Sequence, residues 1–352
     1  MINSAEADSN DIPEAVWQTL YRVLGGHIYF QTLSAAVQLG LFDLLKKHGP
    51  LTRPQVADHL GISEQPARIL LLGCCALDLV EKAGTEYSNA LVADQLLVRD
   101  VPGSLVPIVE WQHFINYRPM YFFAEALKAN ANVGLQIFEG EEDTLYERLA
   151  HSPPLEKIFQ EAMESISVQA NQMLADHVDF SAIRNLVDVG GGNASNIITL
   201  ARKYPKLQAS VFDSPSVCQI ARDNIKKAGL SDRLSATEGD CFRDPFPAEA
   251  DCILFCHFLT IWSEDQNRQL LSKCYDALPQ GGKAMVFNMM QDDDEKGPLT
   301  AAMGSPYFLT LATGTGMLYS WADYRSWMSD AGFTAIEEFA LPRDHGVLVG
   351  TK

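Results

Sequence analysis

Basic residues are scarce in this chain: 27 Lys and Arg stand against 45 Asp and Glu, a formal net charge of −18. Such a field repels phosphate backbones and anionic headgroups alike, so neither nucleic acid nor a membrane is expected as a partner. No apolar run reaches the roughly 18 residues that a bilayer span requires. The opening residues, Met1-Ile-Asn-Ser-Ala-Glu-Ala-Asp8, lack the basic-then-apolar order of a secretory signal, and a cytoplasmic protein is expected. Cysteine is sparse and odd in number: seven, several of them inside apolar stretches (Cys252, Cys256, Cys274). That pattern reads as reduced core thiols rather than a disulfide framework, and the adjacent Cys74-Cys75 has no C-x-x-C spacing. The acidic run Asp292-Asp293-Asp294-Glu295 lies between an apolar stretch and Gly297-Pro298. It reads as a solvated loop, and no metal is expected.

What is present is enough apolar residue for two cores. Of 352 residues 47% are hydrophobic, and the length alone favours two domains. The most informative stretch is Leu186-Val-Asp188-Val-Gly190-Gly191-Gly192-Asn-Ala-Ser195. An apolar run closing on an acid and three glycines reads as a buried strand that turns sharply into a helix opening near Ala194. Glycine allows close approach of backbone to a ligand, and a helix start aims unpaired N–H groups at the same place. The loop has neither the G-x-G-x-x-G spacing of a dinucleotide fold nor the Lys-Ser/Thr of a P-loop. Further strands are expected to end at Phe212-Asp213, at Glu238-Gly-Asp240-Cys241-Phe242 and at Cys256-His257. Helices and strands alternate after Gly192, which predicts a parallel sheet with helices on both faces. Asp188, Asp213 and Asp240 then share the carboxyl edge, where such sheets bind ligands.

The first third has the outline of a DNA reader. Leu51 to Leu72 contains a helix, a turn at Gly61 and a second helix with Ser63 at its N-cap, and a wing follows from Leu79 to Ser88. The second helix carries Arg68 as its one reading side chain and is otherwise aliphatic (Ile69, Leu70, Leu71, Leu72). That face suits protein. An apolar helix is expected before it, from Leu20 to Leu45. Between residues 102 and 179 aromatics gather on helical segments (Trp111, Phe114, Tyr117, Tyr121, Phe122, Phe123), fit either to wall a pocket for a flat molecule or to pack domains together.

The order D-V-G-G-G, F-D-S-P, E-G-D-C-F, Leu259-Thr-Ile-Trp262-Ser-Glu-Asp265 and Leu278-Pro-Gln-Gly281-Gly282-Lys resembles the class I S-adenosylmethionine-dependent methyltransferases. More narrowly, it resembles the small-molecule O-methyltransferases of the caffeate, hydroxyindole and bacterial tailoring type, over nearly the whole chain. The resemblance implies an α/β fold: a Rossmann-like sheet with helices on both faces, preceded by a mainly helical winged-helix dimerisation domain. It divides the chain into residues 1–108 for dimerisation, 109–180 as linking helices lining the substrate pocket, and 181–352 for the cofactor. It implies S-adenosylmethionine as cofactor, a homodimer, and a small aromatic or heteroaromatic acceptor of secondary metabolism methylated on a hydroxyl. Gly190, Gly191 and Gly192, with Asp188, would take the methionine part; Asp213 the ribose hydroxyls; Asp240 the adenine amino group, flanked by Cys241 and Phe242; Cys256 and His257 the sulfonium side. Trp111, Tyr117, Met163, Thr260, Met303 and Met317 would border the acceptor.

The chain departs from the family at the catalytic base. Plant-like members carry His-Asp-Trp after the fourth strand; here the run is Thr260-Ile261-Trp262. The glutamate that orients that histidine is replaced by Asn288, and no acid appears within Gly316–Ser320. His113 and His257 are the imidazoles left as candidate bases. Alternatively, an acidic acceptor needs positioning more than a base, or the methyl goes to carbon, as in tetrapyrrole C-methyltransferases that resemble Gly314-Thr-Gly316-Met317. Relatives that bind the cofactor without transferring methyl, and a ligand-sensing winged-helix dimer, complete the alternatives.

Overall fold

The chain divides into two compact units, one ending at His113 and the other running from Phe114 to Lys352. The computed structural model describes residues 12–352, so the opening octapeptide read for a signal lies outside the described residues.

In the first unit the apolar stretch expected as one helix from Leu20 to Leu45 is two, Glu14–Gln38 and Leu41–His48, at 53° to each other. Gly40 makes the break, with φ at +72°, a conformation that side chains resist. Helices Arg53–Leu60 and Glu64–Ala76 form the helix-turn-helix. Strands β1 (Leu51–Thr52), β2 (Val80–Ala83) and β3 (Glu86–Asn89) pair antiparallel in the order β1-β3-β2 to make the wing. Ser63 holds the N-cap position, but its hydroxyl makes no capping bond. At Gly73 a Cβ would lie 2.7 Å from Thr32 Cγ2, so glycine lets Glu64–Ala76 seat against Glu14–Gln38. The other side of Glu14–Gln38 is open: Val16, Leu20, Val23, Leu24 and Ile28, at helical spacing, are 45–76% exposed. No single helix among the described residues is long and apolar enough to cross a membrane.

In the second unit seven strands form one sheet: β4 (Asn185–Val189), β5 (Gln208–Asp213), β6 (Leu234–Glu238), β7 (Cys252–Cys256), β8 (Lys283–Met289), β9 (Ala335–Ala340) and β10 (His345–Thr351). Their order is β6-β5-β4-β7-β8-β10-β9. The sheet is mixed rather than wholly parallel, because β10 runs against both β8 and β9. The connection from β9 to β10, residues 341–344, is too short for a crossover and permits only an antiparallel return. Period-two alternation splits the side chains. Leu186, Cys252, Leu254, Met285 and Phe287 face helices Pro153–His177, Ser195–Lys203 and Pro215–Lys227. Val187, Val189, Ile253, Phe255, Ala284 and Val286 face helices Glu264–Ala277 and Trp321–Ala331. Each face supplies a core, and the strand order reverses at the β4–β7 boundary, leaving a crevice at their carboxyl ends.

Trp327, 1% exposed, anchors the second of these cores. Trp327→Ala is expected to lose about 3–5 kcal/mol in urea unfolding through the lost burial and the cavity left behind; a loss below 1 kcal/mol would contradict that role.

Candidate functional site

At the crevice, β4 ends and the chain must enter helix Ser195–Lys203 within five residues. It does so through left-handed turns at Gly190 (φ +70°), Gly192 (+58°) and Ala194 (+67°). A Cβ at Gly190 would lie 2.1 Å from the Phe258 ring, and one at Gly191 2.8 Å from Asp188 Oδ2. Close packing therefore demands the glycines as much as the turn does. Gly190 N donates to Phe212 O at 2.9 Å. Asp213, the last residue of β5, ties down the same loop: Oδ2 accepts from Gly192 N at 3.1 Å and Oδ1 from Ser214 N at 2.7 Å. Each oxygen keeps a further lone pair for a ligand hydroxyl. Burial pushes the Asp213 carboxyl up, opposed by those two bonds.

Asp188 sits under the loop, fully buried. Its Oδ2 accepts from Asn196 Nδ2 at 3.2 Å, while Oδ1 has no partner within the protein. Burial pushes this carboxyl up to about 7, the Asn196 bond lowers it and the Asp213 charge raises it. An orphaned buried acceptor beneath a glycine loop fits the ammonium end of an amino acid, and Asp213 fits a ribose diol; the residues therefore suit S-adenosylmethionine.

Asp240 follows β6. Its Oδ1 accepts from Phe242 N (2.8 Å) and Arg243 N (3.3 Å), so it caps this turn, while Oδ2 lies 3.5 Å from Arg243 Nε. Burial, then the Asp240 charge, raises the Cys241 thiol to about 12. The Phe242 ring meets Trp262 edge-on at 4.8 Å, and Met317 packs against the same cluster. Cys256 closes β7; its thiol, pushed up by burial, points at Asn171 Oδ1, 3.9 Å away. His257 adopts φ +51° and packs edge-on against Phe287 (5.0 Å) and His345 (5.2 Å). Burial first and His345 second hold His257 down to about 3, so near neutrality it is a weak proton acceptor.

The acceptor-side residues are spread more widely. Thr260 is buried on the turn Leu259–Ile261, its hydroxyl donating to His257 O at 3.4 Å. Met163 is half-buried on Pro153–His177, and Met303 is 65% exposed on Leu299–Tyr307. Trp111 ends the helix Val106–Trp111, His113 lies on the π-helical turn Gln112–Asn116, and Tyr117 follows it. Asn288 is fully buried and donates to Tyr324 OH at 3.0 Å.

Two residues were not picked out from sequence. Asn171, on Pro153–His177, donates to Ser195 Oγ at 2.9 Å and so links that helix to the one after the glycine loop. His345 reaches the His257 ring from β10, with Nδ1 donating to Arg343 O at 2.9 Å. An asparagine in an otherwise apolar helical stripe was the one available signal for the first; only strand pairing reveals the second. In the acidic loop, Asp293 accepts from Ala322 N (2.7 Å) and Asp294 pairs with Lys296 (3.0 Å). Among the described residues no cluster of three or more His, Cys, Asp or Glu could hold a metal ion.

Comparison with known proteins places this geometry. Residues 125–334 match a family profile described as an O-methyltransferase domain, and residues 21–99 one described as an O-methyltransferase dimerisation domain. The chain is 38% identical over 334 residues to L-tyrosine C(3)-methyltransferase of Streptomyces lavendulae, covering 94% of this chain and 91% of that protein. It is 34% identical over 345 residues to 3-hydroxy-5-methyl-1-naphthoate 3-O-methyltransferase of Streptomyces sahachiroi, covering 97% and 94%. The apo crystal structure of the S-adenosylmethionine-dependent methyltransferase SibL superposes with a TM-score of 0.86 at 42% identity, over 95% of this chain and 98% of that one.

The buried Asp188 carboxyl has a stability consequence of definite sign. Its folded value, about 7, exceeds the ordinary 3.8, so its contribution is full below pH 4 and is lost as pH rises through 7. Asp188→Asn should therefore gain progressively on the wild type between pH 4 and 7 in urea unfolding, by up to about 4 kcal/mol. A difference independent of pH would contradict the assignment.

Proposed function

Because the chain belongs to the O-methyltransferase family, as an S-adenosylmethionine-dependent methyltransferase of secondary metabolism, we propose that its acceptor is a small phenolic metabolite methylated on a ring carbon beside the hydroxyl. The observation that carries this reading is a complete cofactor cradle next to a turn that offers no base: Thr260 is buried with its hydroxyl committed to His257 O. Methylation at oxygen needs the hydroxyl proton drawn off as that oxygen attacks, which is the work of the imidazole missing at residue 260. A phenol is nucleophilic at the neighbouring carbon as well. There a methyl from the bound cofactor would form a C–C bond as its bond to sulfur breaks, and the ring carbon would then pass its proton to solvent water to restore aromaticity. Support also comes from the 38% relative, named for C(3) of L-tyrosine.

The bound cofactor supplies an electrophilic methyl on a sulfonium. The protein's part is positioning. Gly190, Gly191 and Gly192 admit the methionine portion, with Asp188 facing its ammonium; Asp213 holds the ribose hydroxyls through its remaining lone pairs. Asp240 keeps Oδ2 for the adenine amino group, with Cys241 and Phe242 beside the base. His257, kept neutral by burial, adds no positive charge that would oppose a sulfonium. Met163, Thr260 and Met317 border the acceptor, as does Tyr117. The open apolar stripe on Glu14–Gln38, which runs into the dimerisation match at Val23, Leu24 and Ile28, supports a homodimer.

A second reading, transfer to the hydroxyl oxygen, is favoured by the 34% relative, a 3-O-methyltransferase, and by the family's own description. Product analysis separates the two. With a panel of phenols and a ¹³C-methyl cofactor, the label should appear as an aryl methyl; a methoxy signal would overturn the carbon assignment. Unchanged kcat at pH 7 is expected of both His113→Ala and His257→Ala, and a roughly 100-fold loss in either would restore an imidazole base and with it the oxygen reading.

A further inference from the structure

The link from β6 to β7, residues 239–251, contains no helix, yet it carries Asp240, Cys241 and Phe242. Such a link has few backbone bonds of its own to hold a shape. Arg243 N and Asp244 N donate to Asp240 O at 3.1 and 2.9 Å, and Asp244 Oδ2 accepts from Asp240 N at 2.8 Å. These bonds close residues 240–244 into one turn, but they do not fix where the turn sits against the sheet.

Two outside anchors do that. The first is β5: Gly239 N donates to Asp213 O at 2.9 Å, and a Cβ at Gly239 would lie 2.3 Å from the Phe212 ring, so the exit from β6 is pressed against the end of β5. The second is Lys273, on helix Glu264–Ala277. Its Nζ donates to Cys241 O at 2.6 Å and to Asp244 O, and lies 4.4 Å from the centre of the Phe246 ring. Phe246 in turn meets Phe212 edge-on at 5.5 Å. The helix that carries the lysine is rooted, because its Leu270, Leu271 and Cys274 are fully buried in the second core. Two carbonyl oxygens and a ring face are all electron-rich, and an ammonium answers the three together: it donates N–H bonds in several directions and is drawn to the ring by its charge.

Resting on the assignment of Asp240 and Phe242 to adenine, we infer that Lys273 is the positioning residue for recognition of the base. Its ammonium holds the Cys241 and Asp244 carbonyls, and the turn so held presents Asp240 Oδ2 to the adenine amino group. Because Gly239 ties the same stretch to Asp213 O, the two anchors together set the spacing between the acid for the ribose and the acid for the base. Without the ammonium, the turn keeps its internal bonds and its tie at Gly239 but loses its hold on the helix, and Asp240 no longer stands at a fixed distance from Asp213. Lys273 thus acts through the turn and not on the ligand.

The test is calorimetric binding of two probes to the full chain: S-adenosylhomocysteine, and its 6-deamino analogue, in which hydrogen replaces the amino group of the base. Wild type should prefer the first at least tenfold, as expected for a hydrogen bond to a charged acceptor. Lys273→Met and Lys273→Gln, which remove the charge, should bind the two probes equally, chiefly by losing affinity for S-adenosylhomocysteine. Lys273→Arg, which restores a cation and its donors, should keep the preference. A preference left intact in both neutral variants, whether or not affinity for the two probes falls together, would overturn the role of Lys273 and leave the adenine assignment standing. Equal binding of the two probes by wild type would overturn the adenine assignment and this inference with it.

Discussion

The cofactor end of the sheet depends on backbone coming within side-chain distance of its neighbours at residues 190 and 191. Phe258 presses on Gly190 from one side and Asp188 on Gly191 from the other, at separations where no Cβ fits. That closeness allows Asp213 to reach Gly192 N from the adjacent strand, so that one carboxylate both fixes the loop and keeps lone pairs for a ligand. The burial of Asp188 is the cost of the same arrangement. One oxygen of that carboxyl is held by Asn196 and the other has no partner within the protein.

Electrostatics at this edge separate charge from reactivity. Burial raises Asp188 and Cys241, which keeps the thiol protonated, and lowers His257, which keeps the imidazole neutral. None of these groups is left as a strong nucleophile or base. The site is built to hold and orient rather than to attack, which accords with methyl transfer between two bound molecules, where alignment of the acceptor supplies most of the rate.

Much of this was legible in the sequence because it rests on local rules. The glycine turn and the acids near the ends of β4 and β5 follow from nearest-neighbour geometry. The break at Gly40 was missed because apolar residues recur on both sides of it from Leu20 to Leu45, and only the left-handed φ reveals the turn. The reversed strand β10 was missed because a strand's direction is set by the length of its connection rather than by its own residues. His345 and Asn171 escaped for a related reason: their partners, His257 and Ser195, lie on other elements and meet them only once strand pairs with strand and helix packs on helix. Met303, placed on the acceptor side by resemblance, lies largely exposed on its helix. Family likeness gives a position in order along the chain, not the direction in which a side chain points.

The account stands or falls on the close-packed glycine loop as the seat of the cofactor. The most direct measurement is calorimetric titration of S-adenosylhomocysteine into the wild type and into Gly190→Ala, whose added methyl would have to displace the Phe258 ring. Micromolar binding by the wild type, about −8 kcal/mol, with at least a tenfold loss in the variant, is the predicted result. Equal affinity in the two proteins, or no binding by the wild type, would contradict it.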